Sequence, residues 1–430
     1  MDVPGHRFRG NPASRIALDS KELIVLCFCQ SNAIRICSME EKPCPKIVCL
    51  SGIFDQHYHD VRGEKVERRL TIPYQRDLFQ CLEMASGREL IVLSFPPKAA
   101  ERRAAKWLPP LETKFIGHRQ LFCANWDVPK LRVPLSWFFY ARHVLRHVRS
   151  GDLVAIENYE FIYIVAARLL TLFRRVTFIV VYLDGRHLID RGWPRFLSRL
   201  AEVWGPPLLS GAILSNPILG KRLPDSMPRE LAPGFVPDEL PPGPEAPDGE
   251  VRFLYAGALA YSHGIDLLLK AFDHLPERGW HLIIAGQGPL EEQVIHRAQD
   301  PRWRGRVEHR PTMPPDIFKQ LLGSNHVGLN CQRISDPIST VTFPSKVFTY
   351  LSAGLLVISS KAGCVEQICG NACFYYEGET PQALAAAMKE VIEHFPAVRQ
   401  KLNLAAVHER YSFEATAMRL RQMFKTIGIG

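Results

Sequence analysis

VRFLYAGALAYSHGIDLLLKAFDHLPERGWHLIIAGQGPLEEQV, residues 251–294, holds two strand–glycine–helix units in succession. VRFLYAG and WHLIIAG are short apolar runs, each closing on a glycine (Gly257 and Gly286). The stretches that follow, GIDLLLKAFDHL and PLEEQVIHRAQ, space their apolar residues at the helical period. Strands apolar on both faces need helices on both sides, so this order predicts a parallel sheet in a doubly wound α/β domain. The alternation runs on through RVEHR, PDIFKQLLGS, HVGLNC, SKVFTYLSAG and LLVISS, and FEATAMRLRQMFKTI (413–427) reads as a final helix.

The first half shows the same grammar. ELIVLCFC (22–29), KIVCL (46–50), ELIVLSF (89–95), LVAIENY (153–159) and TFIVVYLDG (177–185) are strand-like, with helical stretches such as YEFIYIVAARLLTLFRR between them. GFVPDELPPGPEAPDGE (234–250), rich in proline and acid, reads as a linker. The expected organisation is a loose leader over 1–20, a first Rossmann-like domain over 21–233, the linker over 234–250, a second such domain over 251–410 and a closing segment over 411–430. Two such domains face each other across a cleft at the carboxyl ends of their strands, where ligands of open parallel sheets bind.

A chain of 430 residues with 47% hydrophobic and 23% charged residues has ample material for two cores. That excludes a disordered chain, a collagen-like fibre and a small disulfide scaffold. The eleven cysteines are odd in number and include no C-x-x-C pair, so they read as free thiols of a reducing compartment. No continuous apolar run marks a signal peptide, and FIYIVAARLLTLF, interrupted by Arg168, is too short to span a bilayer. A cytoplasmic protein is expected. Cys364, Cys369 and Cys373 lack zinc-ligand spacing; the nearest approach to a metal cluster is DQHYHD, with His57 and His59, and a polar loop is its alternative reading. No metal site is expected.

Net charge is +9, and from Lys98 to Arg149 eleven Lys or Arg face three acids. On a helix through PLSWFFYARHVLRHVRSG, Arg142, Arg146 and Arg149 share one face, and Phe138, Ala141, Leu145 and Val148 another. Such a helix either lies on an anionic membrane surface or packs its apolar face inward as an ordinary outer helix. No zinc finger or other nucleic-acid-binding signature is present, so nucleic acid is not an expected partner.

Three stretches carry the chemistry. In FLYAGALAYSHGID a helix begins near Gly264, and backbone N–H groups at such a start favour phosphate. IIAGQGPLEEQV repeats the turn with Gly286 and Gly288, but Glu291 stands where a dinucleotide fingerprint has its third glycine, so NAD is not indicated. In TFPSKVFTYLSAGLLVISS, Pro344 is a first-turn proline, and Ser345 and Lys346 beside it suit a diphosphate. In the first domain, Asp184, His187 and Asp190 of YLDGRHLID follow a strand where a general base or sugar-hydroxyl ligand belongs, and Glu157 and Glu160 follow the preceding strand. Asp184 is preferred to Glu157 as the functional acid; helix capping is the alternative for both, and His57 and His59 are third choices.

The order FLYAGALAYSHGIDLLLKAF, HLIIAGQGPLEEQV, TFPSKVFTYLSAG and LVISS resembles the donor domain of retaining GT-B glycosyltransferases of the family 4-like group, glycosyl transferases group 1, over roughly residues 251–425. Over the first half the likeness is architectural, apart from YLDGRHL, whose Asp184 and Gly185 match an acidic-Gly turn of some bacterial members. The resemblance implies that the first domain binds the acceptor, the second binds a nucleotide-sugar such as a UDP- or GDP-sugar, and the final helix crosses back to the first. It implies transfer of the sugar with retention and without metal, the departing diphosphate being stabilised by cations and helix starts. Gly257 and Gly264 would then approach the phosphates, Ser345 and Lys346 would face them, and Thr312 would fall in the nucleotide-base loop. Gly286, Phe343, His263 and Thr349 complete the implied donor site. Ala258 replaces the family's usual Arg, His263 its Lys, Thr349 its ribose-binding Glu and Val341 the partner acid. The expected function is a membrane-peripheral glycosyltransferase building a polysaccharide or glycolipid on a membrane-carried acceptor. A non-catalytic nucleotide-sugar-binding partner of an active transferase is the second reading, and a nucleotide-sugar epimerase of the same fold the third.

Overall fold

A computed structural model describes residues 24–27, 35–38, 44–53, 58, 72–96, 106–128, 131–185, 192–241, 243–245 and 247–429. β1 (Ile24–Cys27) and β2 (Arg35–Ser38) pair antiparallel as a sheet of their own, Ile24 opposite Ser38. Of the strand expected at 22–29, residues 24–27 are described, and they pair with β2. Only residues 28–34 separate β1 from β2, and a parallel crossover needs about a dozen residues or more.

The first large sheet is built from β3 (Ile47–Ser51), α1 (Ile72–Ser86), β4 (Leu90–Ser94), β6 (Leu111–Phe115), β7 (His118–Phe122), α2 (Arg132–His147), β9 (Leu153–Glu157), α3 (Phe161–Phe173), β10 (Thr177–Tyr182), α4 (Gly192–Trp204), β11 (Gly211–Leu214), α5 (Pro217–Gly220) and β12 (Arg229–Leu231). β5 (Lys106–Leu108) and β8 (Asn125–Asp127) form a small antiparallel pair beside it. The strand order is β12-β11-β10-β9-β3-β4-β7-β6, parallel except for the β6–β7 hairpin at the edge. β3, β4 and β9 are buried at every position, as strands covered on both faces must be. One face carries α2, α3 and α4 over Val48, Val154, Ile156 and Val180. The other carries α1 and the last helix over Ile47, Val92, Ala155 and Ile179.

The second sheet comes from β13 (Val251–Ala256), α6 (Ile265–Ala271), β14 (Trp280–Ala285), α7 (Glu291–Gln299), β15 (Val307–Arg310), α8 (Pro315–Gly323), β16 (Val327–Asn330), α9 (Lys346–Ser352), β17 (Leu356–Ser359), α10 (Val365–Cys369) and β18 (Phe374–Tyr375). α11 (Pro381–Lys401), α12 (Leu404–Tyr411) and α13 (Phe413–Thr426) follow. Its order, β15-β14-β13-β16-β17-β18, is the doubly wound 3-2-1-4-5-6 arrangement. Both sheets are Rossmann-like.

α13 leaves the second domain and packs on α1 of the first, burying Leu420, Met423 and Phe424 in the core that holds Leu78 and Leu82. α1 has no basic residue in its last turn, and Arg421 of α13 supplies the missing donor to the carbonyls of Met84 (2.7 Å) and Ala85 (3.3 Å). Between β12 and β13, Phe235 stacks flat on Phe413 and Val236 bridges to Ser412. Among the described residues no helix is long and apolar enough to cross a membrane.

Candidate functional site

Each sheet reverses its winding between two strands, β3 and β9 in the first and β13 and β16 in the second. The crevice above such a reversal is where an open α/β sheet binds its ligand. Gly264 stands over the second crevice. It adopts φ 70°, and a Cβ there would lie 1.9 Å from the Cys331 carbonyl at the end of β16. Only glycine lets the turn before α6 come this close.

Lys346, the first residue of α9, reaches across to β13. Its Nζ donates to the Tyr255 hydroxyl at 2.9 Å and lies 4.2 Å from the ring centroid. A Cβ on Gly257 would sit 3.3 Å from that same Nζ. Tyr255 is fully buried and donates in turn to the Ala258 carbonyl at 2.8 Å. Among the described residues no carboxylate pairs with Lys346. Its neighbour Cys331 offers no anion, because burial pushes the thiol up to about 12. Burial pulls the lysine down to about 8, which still leaves it mainly protonated at neutral pH. The second crevice therefore contains a half-buried ammonium, beneath a glycine turn, that has no counter-ion among the described residues.

His263 is the other basic group there. Burial first, and the Lys346 charge second, push it down to about 4, so it is neutral at pH 7. Its Nδ1 is buried without a hydrogen-bond partner. Arg333 does not substitute as a free cation. It is bound to Asp266 at 2.6 Å, stacks 4.0 Å over Tyr261 and donates to the Tyr261 carbonyl at 3.3 Å. It thereby holds the turn over 261–264 in place. Nothing in the sequence distinguishes Tyr255 or Arg333 from ordinary strand and loop residues, because their roles arise from contacts 91 and 67 positions away.

The other expected donor residues are placed as follows. Gly286 is required by packing, since a Cβ there would lie 1.9 Å from the Gly257 carbonyl. Ser345 is exposed and makes no side-chain cap, so α9 starts one residue after it rather than at Pro344. The Thr349 hydroxyl donates to the Ser345 carbonyl at 3.3 Å, one turn back. Phe343 is buried edge-on against Phe348 in the core of the second domain. Thr312 is exposed in the loop after β15.

In the first domain, Glu157 ends β9 at the switch point. Both of its oxygens are engaged, one by the Ser51 hydroxyl at the end of β3 and the other by the Gln75 amide at 2.8 Å. Asp184 lies just past β10, half-buried, and its backbone N–H donates to Asn158 Oδ1 at 2.9 Å. Asn158 accepts from Leu183 as well and adopts φ 57° to do so. Next to Asp184, Gly185 abuts the second domain, with a Cβ there 2.9 Å from Val341. Asp184 thus stands where the two domains meet. Glu160 begins α3 at the carboxyl end of β9. His187, Asp190, His57 and His59 lie outside the described residues. Among the described residues no group of His, Cys, Asp and Glu has the arrangement of a metal site.

Residues 250–394 match the family model described as glycosyl transferases group 1. The second domain is a glycosyl transferases group 1 domain. It contains the Gly257, Gly264 and Lys346 cluster. Solved structures give the same architecture over nearly the whole chain. HepE from Anabaena in complex with UDP superposes with TM-score 0.64 at 13% identity, over 88% of this chain and 99% of that one. Sucrose-phosphate synthase from Thermosynechococcus elongatus gives 0.61 at 15%, over 88% and 98%. The catalytic domain of starch synthase IV from Arabidopsis thaliana bound to ADP and acarbose gives 0.59 at 11%, over 89% and 99%. The fold is GT-B. A search of the curated proteins finds none that matches this sequence.

In the first domain the basic helix α2 ends at His147, so Arg149, expected on it, lies just beyond its end. Arg142, Arg146 and Arg149 are exposed, while Ala141, Val144 and Val148 are buried on the sheet. Phe138, expected on the apolar face, is 63% exposed. α2 is an outer helix with its main apolar face inward.

Proposed function

We propose that the chain is a glycosyltransferase whose second domain holds a nucleotide-sugar by its diphosphate, and whose first domain presents the acceptor. The observation that carries this reading is the Lys346 ammonium, which has no carboxylate partner among the described residues, beneath the Gly257 turn at the switch point of a glycosyl transferases group 1 domain. An ammonium without a counter-ion, beside backbone that approaches without side chains, is suited to a diphosphate. The nucleotides in HepE and starch synthase IV support a UDP- or ADP-type donor, with GDP the further candidate. In this reading Gly257, Gly264, His263, Ser345 and Lys346 bind the diphosphate, and Thr312 and Thr349 lie toward the nucleoside. Transfer of a hexose proceeds with retention and without metal, positive charge at Lys346 stabilising the leaving diphosphate. Asp184, at the junction of the domains, is the acceptor-side acid. Glu157, tied to Ser51 and Gln75, supports the crevice floor. The basic surface around Arg142, Arg146 and Arg149 suits an anionic, membrane-carried glycan or lipid on the cytoplasmic face, in polysaccharide or glycolipid synthesis.

Calorimetry with UDP, GDP and ADP tests the donor site. One of them binds, and Lys346→Ala weakens it by about tenfold or more, the loss of a charge-assisted contact. Absence of binding at millimolar concentration sinks the assignment. The second reading, a nucleotide-sugar-binding partner without transfer activity, is favoured by the neutral His263 and by Thr349 in place of a carboxylate. Donor consumption distinguishes the two: a transferase slowly hydrolyses its nucleotide-sugar even without acceptor, and a binding protein leaves it intact.

A further inference from the structure

α4, GWPRFLSRLAEVW, is amphipathic in the opposite sense from a core helix. Its inward side is small: Ser198 and Ala201 are its buried residues, and Gly205 just beyond lies so close to Tyr159 that a Cβ would stand 2.5 Å from the ring. Its large apolar residues point elsewhere. At 100° per residue Trp193, Phe196, Leu197, Leu200, Val203 and Trp204 fall within an arc of about 120°. Of these, Trp193 is 68% exposed, Phe196 53%, Val203 70% and Trp204 44%. Trp193 and Phe196 stack on each other, with centroids 5.2 Å apart, rather than on the body of the domain.

The stripe continues onto the neighbouring helix. Trp204 touches Phe161 of α3, and Arg168 of α3 donates to the Trp204 carbonyl at 2.8 Å. One turn beyond Arg168, Leu172 and Phe173 are 72% and 71% exposed. Arg195 and Arg199 lie along the edge of the α4 stripe, exposed and without an ion-pair partner among the described residues. Arg174 and Arg175 follow directly on Phe173.

We infer that α4, extended by the end of α3, is an in-plane anchor that seats the first domain on an anionic lipid bilayer. Tryptophan and phenylalanine immersed at the headgroup boundary, edged by arginines, are the composition such a surface binds. The unpaired arginines select a negatively charged surface, which an apolar protein partner would not offer. The anchor begins eight residues after Asp184, so it would bring the acceptor side of the cleft to the membrane. It rests on the exposed stripe and does not depend on the donor-site reading.

The test is flotation of the full chain with vesicles of phosphatidylcholine alone and of three parts phosphatidylcholine to one part phosphatidylglycerol, at low and high salt. UDP calorimetry and a thermal melt are run on the same samples. Wild type floats with the anionic vesicles and much less with the neutral ones. Trp193→Ser with Phe196→Ser loses about tenfold or more of the binding at either salt, because apolar insertion is not screened. Arg195→Gln with Arg199→Gln loses several-fold at low salt and little at high salt. Both variants keep the wild-type melt and the wild-type response to UDP, whatever that response is. Wild type that does not float, or an aromatic variant that floats like wild type, overturns the inference. A concentration-dependent dimer abolished by the aromatic variant would assign the stripe to a second copy and also overturn it.

Discussion

Lys346 bears a charge that its burial makes costly to hold. Its value of about 8 is below the ordinary 10.5, so between those pH values the unfolded chain binds a proton that the folded chain lacks. Stability from this group therefore rises with pH across that window, and at neutral pH its charge is a net burden on the folded protein. Lys346→Met is expected to melt at or above the wild-type temperature at pH 7, to lose that advantage by about pH 10, and to show a smaller shift with UDP than wild type. Melts at the two pH values, each with and without nucleotide, would check it; a variant that melts lower yet responds to UDP as fully as wild type would count against the role given to this lysine. His263 has the same sign at lower pH, its contribution rising between about 4 and 6.5. The motif residues Gly257, Gly264 and Lys346 were legible from residue type and order alone. Tyr255 and Arg333 were not, because a hydroxyl under an ammonium and a guanidinium under a turn are made by contacts between distant segments.

At the scale of elements, alternation of apolar runs and helical periods placed β3, β4, β9 and β10 of the first parallel sheet and β13 to β17 of the second, but not β7, β11, β12 or β18. It failed where local pairing competes with crossover. The run at 22–29 entered an antiparallel pair, and the 106–127 region, expected to continue the basic stretch, holds antiparallel strands β5 to β8. The turn of the β6–β7 hairpin places Ile116 at φ 50°, a conformation the usual asparagine–glycine signal would have announced and isoleucine does not. α13 is part of the first domain's core, since Leu420 is fully buried in the cluster it shares with α1. Leu420→Ala is expected to cost about 2–5 kcal/mol of unfolding free energy, measured by urea titration. A loss well under 1 kcal/mol would mean that the helix is a loose appendage.

At the scale of the molecule, α13 and the segment at Phe235 and Val236 tie the two sheets together, and Val341 of the second domain is buried in the core of the first. Unfolding is therefore expected as one cooperative transition. UDP at about a hundred times its dissociation constant should raise that whole transition by about 2.7 kcal/mol. Two separated transitions, only one of them moved by nucleotide, would show that the domains unfold independently. Calorimetric scanning distinguishes these outcomes.

The sequence by itself determined the two parallel α/β sheets and the glycine turns with Lys346 between them, because apolar period and backbone permissiveness are local properties. The tertiary structure alone decided which charges remain free. It buried His263 into neutrality, occupied Arg333 with Asp266 and Glu157 with Ser51 and Gln75, and left Lys346, bonded to the Tyr255 hydroxyl, with no carboxylate partner among the described residues. It also decided which basic helix turns its apolar side outward: α2 packs inward, whereas α4, seated on small residues, keeps its tryptophans in solvent. Burial and pairing depend on what the rest of the chain brings alongside, and no stretch of sequence contains its own neighbours.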